Sequence, residues 1–403
     1  MRVSTQTLFD HGVSTMLARQ QEVVKTQSHI STGKRVIAPS DDPVAAAQML
    51  DVSGAKSANK QFADNAASVK ARLGQEEASL SAITRLLQDV RTLVVQSGSG
   101  ALTPGDLRSI AEDVNGRYAE LIGLANATDG SGKYLFAGFS SSTKPFAETA
   151  PGVVAYFGDE GRQDVAVSTS RAIAVNDSGA DILQRIKNGN GTFATAASGL
   201  NTGTGVISPG SVVDSTALTG HDYTINFTVV GDVTTYDIVD STSATTIASN
   251  VPFVPEGPIT IAGMQFAIEG APATGDSFTV QPSSSVSVFS TLSALRTALR
   301  TAEEGDVANA SLTNALNTAN SNLTNALDRV LAVTASVGTR LRETEAVLAT
   351  NEDLDLNYQA RLSELGDLDY ARAITDLNFQ QMHLEASQKS FMLITGLSLF
   401  KML

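Results

Sequence analysis

Cysteine and tryptophan are both missing from this chain of 403 residues. The first absence removes disulfides, thiolate metal sites and cysteine nucleophiles together, and would suit a chain that has to travel unfolded through a narrow conduit. Basic side chains are scarce. Lys and Arg number 28 against 42 Asp and Glu, and the formal net charge of −14 argues against a phosphate backbone as partner, because such binding needs clustered cations that release counterions. No nucleic-acid partner is expected. Long apolar runs are lacking as well: Phe391 to Leu403 is broken by Thr395, Ser398 and Lys401 and falls short of the ~20 residues a spanning helix requires. Membrane insertion is therefore not expected. Met1 to Gln20 mixes Arg2, Gln6, Asp10, His11 and Arg19 with no continuous apolar core, so no cleaved secretory signal is read there.

Constellations for chemistry are also absent. His11, His29, His221 and His383 are scattered, and none belongs to an H-E-x-x-H or other paired metal spacing. Asp129-Gly130-Ser131-Gly132-Lys133 lacks the first glycine of a phosphate loop and reads as a hairpin turn. Glu352, Asp353 and Asp355 lie close together without a calcium-loop pattern and read as a solvated helix edge. The expectation is no enzyme, no catalytic, cofactor-binding or metal-binding residues, and no cofactor.

What the chain does have is helix periodicity at both ends. Phe62, Ala66, Val69, Leu73, Leu80, Ile83, Leu87, Val90 and Val94 alternate in steps of three and four, with one miss at Glu76. Ser40, Asp41 and Asp42 precede Pro43, a cap followed by proline at the first helical position. A helix from there to about Ser97 would be on the order of 80 Å long. Thr103-Pro104-Gly105-Asp106 opens a second helix with Leu107, Ile110, Val114, Tyr118 and Leu121 on one face, folding back on the first. Near the other end, Leu316, Leu323, Val330 and Val337 recur every seven residues, flanked by Leu312, Ala319, Leu327, Leu341 and Leu348. These seams are expected to form the chain's own core.

Between about Lys133 and Ser285 the period drops toward two and Gly, Ser, Thr and Pro become frequent. Tyr223, Ile225, Phe227 and Val229 alternate with polar residues, Gly231-Asp232 supplies a two-residue turn, and Tyr236 and Ile238 resume the alternation, which makes a hairpin. Ile259 and Ile261, then Met264, Phe266 and Ile268, then Phe278 and Val280 mark further strands. Asn188 to Leu295 holds eight acidic residues and no Lys or Arg, so this insert reads as a separate, acidic, solvent-facing unit. The fold class is accordingly mainly α with a β-rich insert: a long antiparallel helical bundle or coiled coil built from both chain ends, plus an outer β domain. The divisions expected are 1–42 with 360–403, 43–190 with 286–359, and 191–285.

The extreme ends differ from the bundle. Phe9, Met16, Val23 and Ile30 fall seven apart, and so do Tyr370, Leu377, Leu384 and Phe391, with Ile374, Ile394, Leu397 and Phe400 widening the second stripe. Each end is a lone amphipathic helix whose simplest partner is the other. Burying one large side chain contributes ~1.5 to 3 kcal/mol while ordering each residue's backbone costs ~1 to 2 kcal/mol, so such a pair is marginal by itself. Packing against other subunits would tip the balance, and these stripes are read as the assembly interface.

Ile30-Ser31-Thr32-Gly33-Lys34-Arg35-Val36-Ile37-Ala38-Pro39-Ser40-Asp41-Asp42-Pro43-Val44-Ala45 resembles the N-terminal signature of the bacterial flagellin family, which takes in flagellins and flagellar hook-associated proteins. Leu365-Gly366-Asp367-Leu368-Asp369-Tyr370-Ala371-Arg372-Ala373-Ile374-Thr375-Asp376-Leu377 and the close Gly396-Leu397-Ser398-Leu399-Phe400-Lys401-Met402-Leu403 resemble its C-terminal block. The matching segments cover roughly the first 140 and last 110 residues. The resemblance implies a structural subunit with terminal helices in an inner tube, a helical domain around it and a variable outer domain of strands. It also implies uncleaved type III export, a chaperone that guards the C-terminal helix, and partners that include copies of itself, hook-associated protein 1 and flagellin. The Ser-Asp-Asp-Pro wording resembles most the members that join hook to filament. Two other readings stand beside that one: flagellin itself, and a surface binding module that uses the strand insert.

Overall fold

The computed structural model describes residues 5–399, with the side chains of residues 5, 8 and 394–399 outside that description. Its α-helices are α1 (Thr5–Thr32), α2 (Pro43–Ser97), α3 (Pro104–Ala125), α4 (Gly179–Leu183), α5 (Val288–Arg300), α6 (Asp306–Gly366) and α7 (Tyr370–Leu399). The described residues form two compact units, one ending at Asn65 and resuming at Ala346, the other Ala66–Glu345. Both long helices, α2 and α6, contribute residues to each.

Helix boundaries follow local chemistry. Asp42 caps α2, its Oδ1 accepting the Ala45 N–H at 2.9 Å while Pro43 occupies the first turn, where a missing N–H costs nothing. Helix α3 begins with a full capping box, Thr103 and Asp106 each accepting the other's backbone N–H, and with Pro104 inside it. Within the second unit the periodic residues of α2 from Ala66 to Val94 are buried, and so are Leu316, Leu323, Val330 and Val337 of α6. The two helices run antiparallel there: Arg91 donates to Asn320 at 3.2 Å and Lys70 pairs with Glu345 at 2.8 Å. Helix α3 turns back on α2 through Arg117 and Asp89, 3.2 Å apart. Its buried face, including Leu107, Val114 and Leu121, packs on α5, a short helix that the heptad pattern does not announce. Phe289 of α5 lies edge-on to Tyr118 and 5.4 Å from Phe146, tying the hairpin Phe146–Ala150 and Val153–Tyr156 to the helices.

The strand insert belongs to the same unit. An antiparallel five-stranded sheet runs in the order Thr245–Pro252, Val233–Asp240, Tyr223–Val230, Ser277–Pro282, Phe193–Ala197. Val230 pairs with Val233 across Gly231-Asp232, and the φ of 63° at Gly231 is the mirror-image geometry a two-residue hairpin needs. A second sheet is built on Pro258–Ile261, Met264–Glu269 and Val206–Ile207. The inward residues of both sheets, among them Tyr223, Ile225, Phe227, Ile259, Phe266, Ile268 and Phe278, share one core. Helix α6 holds this insert by amide side chains: Asn314 accepts from Ile207 N and donates to Gly205 O, Asn322 accepts from Gly189 N, and Asn325 donates to Lys187 O and Gly189 O.

Leu80 has no exposed surface. Leu80→Ala should destabilise the protein by about 2–5 kcal/mol in urea unfolding. A loss below about 1 kcal/mol would mean that the α2 seam is open to water in solution.

Candidate functional site: the clasp and the paired chain ends

Helix α1 ends at Gly33, whose φ of 69° is a left-handed stop that glycine adopts without strain. The chain then meets the end of α6. Arg35 N donates to Gly366 O at 2.8 Å and Leu368 N donates to Gly33 O at 2.9 Å, closing an antiparallel bridge between Lys34 and Asp367. The Arg35 guanidinium adds a bond to Leu365 O at 2.7 Å and an ion pair with Asp42 at 2.9 Å. Gly366 lies against the end of the Met49 side chain, whose methyl would be 2.9 Å from a Cβ placed there. The two segments that carry the family resemblance, one from each end of the chain, are therefore the two halves of one backbone clasp.

Two aspartates set the return loop. Asp41 Oδ2 accepts Ile37 N and Ala38 N at 3.1 and 3.0 Å, and its Oδ1 meets Lys25 Nζ at 2.8 Å. The Lys25 ammonium, followed by those backbone N–H groups, holds the Asp41 carboxyl well below the usual carboxylate range. Asp42 is lowered too, first by the Ala45 N–H and then by Arg35.

From the clasp, α1 and α7 run antiparallel. Gly33 lies beside the Tyr370 hydroxyl, Thr26 donates to Gln380 at 2.8 Å, Gly12 lies against the Phe391 ring, and the Phe9 and Phe391 rings stand 5.2 Å apart. The seven-residue stripes thus lie between the two helices. Val23 is buried; Met16, Ile30, Leu377, Leu384 and Phe391 are half-buried; Phe9 and Tyr370, at the rims, are exposed. Ile374 turns outward. Ile394 and Leu397 are on α7, with their side chains outside the described residues, and Phe400 lies outside them altogether.

A second apolar set faces away from this seam. Leu17 and Val24 on α1, and Ile374, Phe379, Met382, Met392 and Leu393 on α7, are 49–68% exposed. The outer side of α1 and the Ile37–Asp41 loop also frame an open groove of about 620 Å³ whose lining includes Leu17, Val24, Lys25, Ile37 and Asp41. Of this face the periodicity reached Ile374 alone, because a seven-residue stripe follows one side of each helix. The signal was nonetheless present: Leu17 follows Met16 and Val24 follows Val23, a second set of the same period that a two-helix seam has no room for. Among the described residues no helix is long and apolar enough to cross a membrane, and no group of three His, Asp or Glu could hold a metal ion.

Comparison with known proteins agrees with this geometry. Residues 3–141 match the bacterial flagellin N-terminal helical region, and residues 196–282 match the D2-like domain of flagellar hook-associated protein 1. The chain is 28% identical to flagellar hook-associated protein 3 of Salmonella typhimurium, over 100% of this chain and 99% of that protein. The crystal structure of FlgL from Xanthomonas campestris is 31% identical, with a TM-score of 0.72, covering 77% of this chain and 99% of that one. The flagellar junction protein FlgL from Legionella pneumophila is 28% identical, with a TM-score of 0.72, covering 79% and 100%. Paired helical ends, a long antiparallel seam and a strand insert define a flagellin-type axial subunit. Within that class, the chain belongs to the flagellar hook-associated protein 3 (FlgL) family.

The loop carboxylates give a pH expectation. Because their folded values are depressed, their contribution is present above the ordinary Asp value of 3.8 and is lost only as pH falls through the lower folded values. Carboxyl NMR should find Asp41 still ionised near pH 3, with the Ile37 and Ala38 amide shifts unchanged. Titration of Asp41 at the ordinary value would contradict the loop geometry.

Proposed function

We propose that the outward apolar face of the α1–α7 pair is the surface through which copies of this chain join one another, the inward stripes serving to hold the two helices together. As a member of the hook-associated protein 3 family the chain is a structural subunit of the bacterial flagellum at the junction of hook and filament. The observation that carries the assembly reading is the exposure of large apolar side chains on the outer sides of both helices, where a lone pair leaves them to water. Hook-associated protein 1 on one side and flagellin on the other are the neighbours the reading assigns. Before assembly the same α7 residues are the surface an export chaperone would cover. Export through the flagellar type III apparatus, without a cleaved signal, places the protein outside the cell.

The domain division 1–42 with 360–403, 43–190 with 286–359, and 191–285 goes with this reading as inner, middle and outer parts. Its support at the outer boundary is local: Ile186–Lys187 pairs with Ser285–Val286, so the insert leaves and returns at one point.

Two experiments test the assembly reading. Val24→Asp and Met382→Asp should alter monomer stability by no more than about 0.5 kcal/mol, as exposed substitutions do, yet prevent incorporation into flagella. Normal filaments on cells carrying either variant would sink the assignment. Replacing residues 191–283 with a short linker should leave a folded helical subunit that still builds the junction; a stable deletion protein that fails to assemble would give the insert a larger role.

A further inference from the structure

The α2 seam holds one charged residue where its period calls for an apolar one. Glu76, between Leu73 and Leu80, is 1% exposed. It faces the segment 159–178, which carries the small hairpin Asp164–Ala166 and Ala172–Ala174. Glu76 Oε1 accepts the Asp177 N–H at 3.1 Å, while Oε2 has no hydrogen-bond partner in the protein. The charged groups around it are Asp177 from that segment, Arg340 from α6 and Arg72 one turn earlier on α2.

The arginines are engaged elsewhere. Asp177 Oδ1 is taken by Arg162 at 3.0 Å and its Oδ2 by Arg340. Arg340 also donates to Ala174 O at 2.9 Å, and Arg72 donates to Gln163 at 3.2 Å. Arg171 pairs with Glu343 of α6. Apart from the Arg162–Asp177 pair, which lies within the segment, these bonds fasten it to a long helix. Among the described residues the buried side-chain polar atoms without a partner are Glu76 Oε2, Arg72 Nε and Arg340 Nε. An ionised Glu76 would draw one of those two donors, and neither is bound to it.

We propose that Glu76 is held as a neutral carboxylic acid and serves as a proton-operated latch, whose ionisation sets a second negative charge beside Asp177 and frees the 159–178 segment from α2 and α6. Burial, and then the Asp177 charge, push Glu76 up to about 8, with Arg340 acting in the other direction. A folded value raised above the ordinary 4.5 means that folding takes up a proton. The stabilisation is complete below the ordinary value and is lost as pH rises through the folded one.

The test is urea unfolding of the full-length chain and of E76Q between about pH 5 and pH 9, with hydrogen exchange followed in residues 159–178. Glutamine keeps the shape of the acid and has no such proton to lose. The two proteins should be nearly equal in stability near pH 5. By about pH 8 the folding constant of E76Q should exceed that of the wild type by on the order of a hundredfold. Exchange in 159–178, corrected for its intrinsic pH dependence, should then rise in the wild type alone. An E76Q that is the less stable protein at pH 7 to 8 would overturn the proposal, because it would reveal an ionised Glu76 paired with arginine. If E76Q does not fold, infrared spectra of the wild type with carbon-13 glutamate decide: a protonated carboxyl band is expected at pH 6, and its absence overturns the latch.

Discussion

Everything in the first unit depends on closing the chain's two ends at the backbone bridge between Gly33–Arg35 and Gly366–Leu368. Closing a loop of more than three hundred residues costs on the order of 5 kcal/mol in chain entropy, more than a few backbone hydrogen bonds return. The antiparallel course of α2 and α6 offsets that cost. Asn59, buried on α2, donates to Asn351 O at 2.7 Å, and Lys56 approaches Asp355 at 3.7 Å, so the helix ends reach the bridge already side by side. The remaining work is local: a left-handed glycine to stop α1, Asp41 to fold the loop, Asp42 to start α2, and Arg35 to join both halves.

Beyond the clasp, α1 and α7 pack along one another, and the pair leaves part of its apolar surface exposed. Two helices can hide a single stripe from water, and the pair uses Met16, Val23, Leu377 and Leu384 for that. Leu17, Val24, Phe379 and Met382 stay on the outside, each more than half exposed. On the proposed assembly, this incomplete burial within one subunit would couple the folding of these ends to the joining of copies. The second unit has a fuller interior, although it too exposes Val95, Leu200 and Val230. Its helical seam, the α3–α5 pair and the shared core of two sheets bury their apolar residues internally.

Much of this was legible in the residues. Asp42-Pro43 and Thr103-Pro104 marked helix starts because caps and proline act locally, and the α6 heptads showed a seam because burial there has a fixed period. Gly231-Asp232 marked a hairpin for the same local reason. The tight turn between Ile261 and Met264 gave no such sign: Ala262 sits at φ 44° ahead of Gly263, a position that alanine seldom takes. Glu76 was visible as a gap in the pattern, but its partners Asp177 and Arg340 come from distant segments that only the fold brings together. Of the outward face of the terminal pair only Ile374 was read from the pattern, since the seven-residue stripe accounts for one side of each helix and leaves Leu17, Val24, Phe379 and Met382 outside it.

The absence of cysteine makes the central claim directly testable. Single-cysteine variants Val24→Cys and Met382→Cys, placed in cells that build flagella, report whether the outer face of the pair is covered. In purified monomer both should react with a maleimide reagent. In isolated intact flagella both should be protected and recover reactivity on disassembly. Full labelling in intact flagella would show that this face is turned to solvent and would contradict the account.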